Sequence, residues 1–243
     1  MKMLRSLIDV DEIVQIIISV LAISLAFTIV FAGHEGLLRY PKESLVFVLL
    51  SLVTIGSGFV LHEMSHKLTA VYYGAYAKFK MWTNGIIFML VVSFMHILFA
   101  APGAVYIYSS RISRRENGII SIAGPMLNVV LAAFFLVLNI FHPVNLYFSF
   151  LYGLHLPGIV ESGAIDVWMF GAFINLILAL FNMIPAFPLD GSKVLVWSRT
   201  AWLCATFGIL VLGLLFGLFE FTFIILWGVI FLIAMVFSRI IFG

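Results

Sequence analysis

Residues 85–108 read GIIFMLVVSFMHILFAAPGAVYIY, a run without a single charge. A bilayer core of about 30 Å needs roughly 20 apolar residues per helix, so the run is long enough to cross. Its flanks argue otherwise. Lys67, Lys78 and Lys80 precede it and Arg111, Arg114 and Arg115 follow it. Basic residues of membrane proteins concentrate on the cytosolic side, and a single crossing would separate the two clusters. A segment that dips in and returns keeps both in the cytosol. The expectation is therefore a membrane-re-entrant segment over about 85–108, with a helix up to Ala100, a turn at Ala101-Pro102-Gly103 and an extended arm from Pro102 to Ser109. An ordinary additional span is the competing reading. Irregular backbone at this depth is tolerated only where protein or a water-filled cavity shields it, so such a loop should line a site.

The rest of the chain sets the frame. Of 243 residues, 64% are hydrophobic and 10% charged, which places the protein outside the soluble globular range. Six full spans are readable at about Ile13–Ala32, Leu45–His66, Ile119–Phe141, Val167–Ile184, Ala201–Leu218 and Phe221–Phe237. The first is too long for a signal-peptide core and is read as retained. Both termini then fall in the cytosol with Lys2, Arg5 and Arg239. The expected fold is an all-α polytopic membrane protein forming one domain over 1–243. A net charge of +2 gives no nucleic-acid surface, and Cys204, the sole cysteine, excludes an internal disulfide.

Chemistry concentrates in His62-Glu63-Met64-Ser65-His66. Histidines four apart on a helix project from one face and can offer two imidazole nitrogens to one zinc ion, while the intervening glutamate reaches a metal-bound water. Ionisable groups near the end of an apolar helix are costly unless paired or liganded. A catalytic zinc takes three protein ligands and keeps a fourth position for water, so one ligand is missing. Asp190 can supply it, in Asn182-Met183-Ile184-Pro185-Ala186-Phe187-Pro188-Leu189-Asp190-Gly191. Pro185 and Pro188 break the helix and Gly191 frees the chain beyond the aspartate. The alternative is a plain turn in which Asp190 caps a helix starting at Ser192. The re-entrant topology puts Asp190 at the depth of the two histidines, whereas a full crossing at 85–108 would send it to the opposite face.

These two motifs, with Ser121-Ile122-Ala123-Gly124-Pro125-Met126-Leu127-Asn128 as a third element, resemble the site-2 protease family, the M50 intramembrane zinc metalloproteases, in a minimal form without PDZ or CBS domains. The HExxH pattern falls at 62–66 and the NxxPxxPxDG pattern at 182–191, and the core they bracket covers about 45–200. The resemblance implies one zinc ion per chain on His62, His66 and Asp190, with Glu63 as general base and Asn182 near the substrate or oxyanion. It also implies a re-entrant β-hairpin after the zinc helix, although this stretch is longer and more apolar than a simple hairpin. The substrate would be a transmembrane protein cleaved within the bilayer, probed from an active site toward the cytosolic side of the cell membrane. A non-proteolytic metal binder or transporter is the alternative, since polar ligands in a bundle also mark ion pathways. Asn128 is a second candidate oxyanion donor or a group satisfying backbone between helices. His96 is expected to bond a carbonyl, His34 and Glu35 to fall in a loop, and His142 and His155 in the outer loop. Sequence leaves the oligomeric state open.

Overall fold

The computed structural model describes residues 9–98, 102–109 and 111–242. Lys2, Arg5 and Ala101 lie outside them, as does the Arg239 side chain. All six apolar runs are helical. The first, α1 (Val10–Arg39), begins where the Asp9 carboxylate accepts the Glu12 N–H at 2.8 Å. It breaks at Gly33, whose φ of 63° and ψ of 177° are not helical, and then resumes. His34 and Glu35 therefore sit in helix and not in a loop; the glycine ends one helical segment without ending the rod. The second helix, α2 (Pro41–Tyr72), is continuous apart from a π-helical stretch at Leu52–Gly56 that precedes the His62–His66 turns.

Strand β1 (Tyr76–Met81) follows, then helix α3 (Thr83–Ser93), then strand β2 (Gly103–Tyr108). The strands are antiparallel, in register from Tyr76 opposite Tyr108 to Met81 opposite Gly103, so the chain comes back to where it left. Between the strands it travels far. Met81 N–H donates to Gln15 Oε1 at 2.9 Å near the start of α1, and His96 Nδ1 donates to Val30 O at 2.7 Å near its break. At 1.5 Å per residue, Gln15 and Val30 are about 22 Å apart along the helix, most of a bilayer's apolar thickness. The excursion is thus a hairpin with a helix inserted at its tip. Its helix ends at Ser93 and not Ala100, and its first strand lies ahead of the predicted segment.

The bundle continues with α4 (Arg114–Phe141), whose capping box pairs Ser113 with Glu116. A small sheet in the order β3 (Asn145–Tyr147), β5 (Ala164–Asp166), β4 (Val160–Glu161) links it to α5 (Val167–Asn182). Helices α6 (Asp190–Trp197), α7 (Arg199–Leu215) and α8 (Phe221–Phe242) complete the chain. The fold is mostly helical and not all-α. Strand β2 falls within the expected extended arm from Pro102 to Ser109, whereas the other strands were missed because they are only two to six residues long and β1, YAKFKM, reads as a basic linker. Among the described residues, α1, α2 and α4 are long and apolar enough to cross a membrane, while the other three predicted spans are shorter apolar helices there. Three of the six expected spans are thus matched by length among the described residues. Helix α4 lies centrally against α2, α5 and α6, and this contact builds the site.

Candidate metal centre

His62 and His66 stand one turn apart on the buried face of α2, and Asp190 is the first residue of α6. What brings the aspartate there is the broken backbone before it. Met183 O accepts the Trp202 indole N–H at 2.8 Å, which pins the end of α5 to α7. A Cβ on Gly191 would sit 2.2 Å from Met183 O, so only glycine lets α6 start that close. Asp190 does not cap a helix beginning at Ser192; the cap position is Leu189.

The ligand atoms converge. Asp190 Oδ2 lies 3.4 Å from His62 Nε2 and 3.0 Å from His66 Nε2, and the two Nε2 atoms are 3.0 Å apart. All three residues are at least nine-tenths buried. Bonds of about 2.0–2.1 Å to a tetrahedral ion give ligand–ligand spacings of about 3.3 Å. The chemistry of the donors makes the same point. His62 Nδ1 is 2.6 Å from Asn128 Oδ1 and His66 Nδ1 is 2.7 Å from Ile120 O, both acceptors, so each neutral ring carries its hydrogen on Nδ1. Two Nε2 lone pairs and a carboxylate then face one another, an arrangement a cation relieves.

Asn128 is fully committed. Its amide hydrogens go to Asn175 Oδ1 at 2.9 Å and Gly58 O at 3.4 Å, and Asn175 donates in turn to Thr54 O and Gly171 O. The network ties His62 to α4, α5 and the π-helical stretch of α2. Glycines make room for it: a Cβ on Gly58 would lie 2.3 Å from Asn175 Oδ1, and one on Gly124 would lie 2.5 Å from His66 Nε2 and 2.6 Å from His62 Nε2. Sequence reasoning noted Gly124 and Asn128 within a motif but missed their geometry. It missed Asn175 altogether, since an asparagine in an apolar helix, four residues from the carbonyl it bonds, carries no spacing signal.

Glu63 is buried beside the triad, and its Oε2 accepts the Val105 N–H of β2 at 2.8 Å. The β1–β2 hairpin therefore does line the site. Lys193 Nζ is 3.4 Å from the second carboxylate oxygen of Asp190. Asn182, half-buried, donates one amide hydrogen to Leu178 O at 2.9 Å within its own helix. Of the other histidines, His96 bonds the Val30 carbonyl, His142 caps the end of α4, and His155 lies in the connection between α4 and α5.

A histidine pair on one apolar helix, a carboxylate from another and an adjacent buried glutamate define a metallohydrolase-type site inside a membrane bundle. Comparison with known proteins agrees. Residues 50–203 match peptidase family M50. "Putative zinc metalloprotease MJ0611" of Methanocaldococcus jannaschii is 38% identical over 193 residues, covering 79% of this chain and 86% of that protein. "Putative zinc metalloprotease YwhC" of Bacillus subtilis (strain 168) is 27% identical over 173 residues, covering 66% and 73%. No solved structure matches the chain. The chain belongs to peptidase family M50, and with that to the integral-membrane metalloproteases.

Proposed function

We propose that the protein is an intramembrane zinc endopeptidase that cuts peptide bonds in or near transmembrane segments of membrane-protein substrates. The observation that carries the reading is the meeting of His62, His66 and Asp190 with Glu63 beside them, at the mouth of a hairpin that enters and leaves on one side. Those three side chains would hold one zinc ion, and zinc when bound lowers the pKa of a water and polarises a carbonyl. Glu63 takes the proton of the attacking water at a carboxylate oxygen and returns it to the leaving amine. Val105 N–H fixes Glu63 Oε2 and leaves Oε1 for the proton. Of the two asparagines, Asn182 is the one with a hydrogen to offer a developing oxyanion, because Asn128 has spent both of its own, whereas the Asn182 amide has a second N–H beyond its bond to Leu178. With both basic clusters in the cytosol, the site opens toward the cytosolic side of the cell membrane.

A metal transporter would need polar groups along several spans. Among the described residues the buried ionisable side chains are Glu12, His62, Glu63, His66, Lys67 and Asp190, and the contacts His62–His66–Asp190 and Glu12–Lys67 group them around the His62–Lys67 turns of α2. The test is the protein purified in detergent, with zinc counted per chain and a single-span substrate assayed. Wild type should hold one zinc and cleave, and Glu63→Ala should hold zinc without cleaving. Equal turnover by both proteins would remove the enzymatic reading.

A further inference from the structure

We infer that Glu12, outside the segment that matches the family, is a positioning residue for the proposed reaction: it sets the height of the hairpin rung that holds Glu63. The inference rests on the proposed function for its kinetic part and on geometry for the rest.

The rung is Phe79 opposite Val105. Its two amides point away from each other, off the two outer edges of the hairpin, and each meets a buried carboxylate. Phe79 N–H donates to Glu12 Oε1 at 2.8 Å on the α1 side, and Val105 N–H donates to Glu63 Oε2 at 2.8 Å on the α2 side. Glu12 is itself gripped by Lys67, whose Nζ lies 2.6 Å from Oε2 and also contacts Oε1. Glu12 and Lys67 are each 2% exposed, and Lys67 follows the ligand His66 directly. The carboxylate thus joins α2 to the hairpin through Lys67, one residue from the candidate ligand His66.

The neighbouring contacts continue the pattern along one face of α1. Asp9 pairs with the Lys78 side chain, Gln15 accepts Met81 N–H at 2.9 Å, and Ser19 donates to Pro102 O at 3.3 Å. Glu12 and Gln15 accept N–H groups of β1 where a neighbouring strand would, and of these two Glu12 also pairs with a side chain of α2. Ordinary packing would be met by apolar residues at 12 and 67, which fill the same space without burying charge. An ion pair whose acid also receives a backbone N–H fixes position instead.

The experiment separates charge from the acceptor. In E12Q/K67M both charges go but an amide oxygen still faces Phe79 N–H; in E12L/K67M the acceptor goes too. Each protein is measured for zinc per chain, for kcat and KM on the single-span substrate, and for deuterium exchange of the peptide containing 103–108. The expectation for E12Q/K67M is a smaller loss than in E12L/K67M, because Phe79 N–H keeps its acceptor while the tie to α2 through Lys67 is gone. E12L/K67M should keep its zinc and its KM, lose about tenfold or more in kcat, as displacement of a catalytic group does, and exchange strand β2 faster. Unchanged kcat and exchange in E12L/K67M overturn the inference, and so does an E12Q/K67M protein as slow as E12L/K67M. If wild type cleaves nothing, the protease reading fails, while the exchange comparison still decides the role of Glu12.

Discussion

Replacing Gly124 by alanine adds one methyl group where the structure has no space for it. The new Cβ would stand 2.5 Å from His66 Nε2, 2.6 Å from His62 Nε2 and 2.6 Å from His62 Cε1. Ordinary heavy-atom contact is about 3.5 Å, so one or both rings must retreat by about 1 Å. Metal–ligand distances tolerate only about 0.2 Å. The rings cannot yield easily, because their Nδ1 atoms are held by Asn128 and Ile120. Loss of a supporting partner alone weakens metal binding about 10- to 100-fold, and displacement of a ligand should exceed that, giving at least about 3 kcal/mol. Helix propensity works in the other direction, since alanine favours a helix over glycine by about 1 kcal/mol. G124A should therefore express as a folded bundle that lacks zinc. Gly208, in α7 with nothing within 4 Å of its added Cβ, is the control, and G208A should match wild type. Zinc is quantified by plasma emission on detergent-purified protein and by competition with a chromophoric chelator, with circular dichroism to follow the fold. A G124A protein that holds one zinc with wild-type affinity would show that α4 does not press on the imidazoles, and the packing described above would be wrong.

Four further outcomes follow from the same geometry. Asn128→Ala removes the acceptor that keeps the His62 hydrogen on Nδ1, and chelator competition should find zinc bound about 10- to 100-fold more weakly. Gly58→Ala drives a methyl to 2.3 Å from Asn175 Oδ1 and should lower both thermal stability and zinc affinity. Removing zinc with a chelator should lower the unfolding temperature, by about 2.7 kcal/mol of stability when zinc had been at a hundred times its Kd. At Asp9, the Lys78 ammonium and then the Glu12 backbone N–H hold the carboxyl below its ordinary value. A depressed carboxyl pKa stabilises above the unfolded value and is lost only as pH falls through the folded one. The Tm difference between wild type and Asp9→Asn should hold from neutrality to about pH 4.5 and close at lower pH, and closure well above pH 5 would contradict the contact.

The candidate ligands were legible because metal chemistry imposes spacing: two imidazoles four positions apart on a helix, and a proline-broken segment ahead of the aspartate. The return of the hairpin was legible from Lys78 and Arg111 on either side of an uncharged run, a matter of charge and not of secondary structure. Of its two strands β2 was foreseen as the extended arm, while β1 was hidden, because it alternates Tyr76, Lys78 and Lys80 with Ala77, Phe79 and Met81, and in a chain so rich in apolar residues that alternation resembles a linker. Helix α3 masked the hairpin further, since an inserted apolar helix looks like part of a span. Asn175, Gly124 and Glu12 were beyond reach for another reason. Each acts through a partner at least 47 residues away, such as Asn128 for Asn175 and Lys67 or Phe79 for Glu12, and no local pattern encodes that meeting.

The way the polar groups are satisfied also explains why the family motif is not by itself the whole site. In an apolar medium every donor and acceptor at depth must find a partner within the protein. Here Asn128 spends both amide hydrogens and its oxygen, Ile120 lends a carbonyl to His66, and the rung amides of Phe79 and Val105 take up Glu12 and Glu63. In the proposed reaction a water molecule would be activated here only with the supporting groups already committed elsewhere, leaving Nε2 of both histidines, Oδ2 of Asp190 and one oxygen of Glu63 as the atoms still available. The hairpin is what completes this condition for Glu63. Without Val105 N–H on one oxygen, the carboxylate would be free to turn toward the imidazoles, and the geometry needed to pass a proton would be one orientation among several.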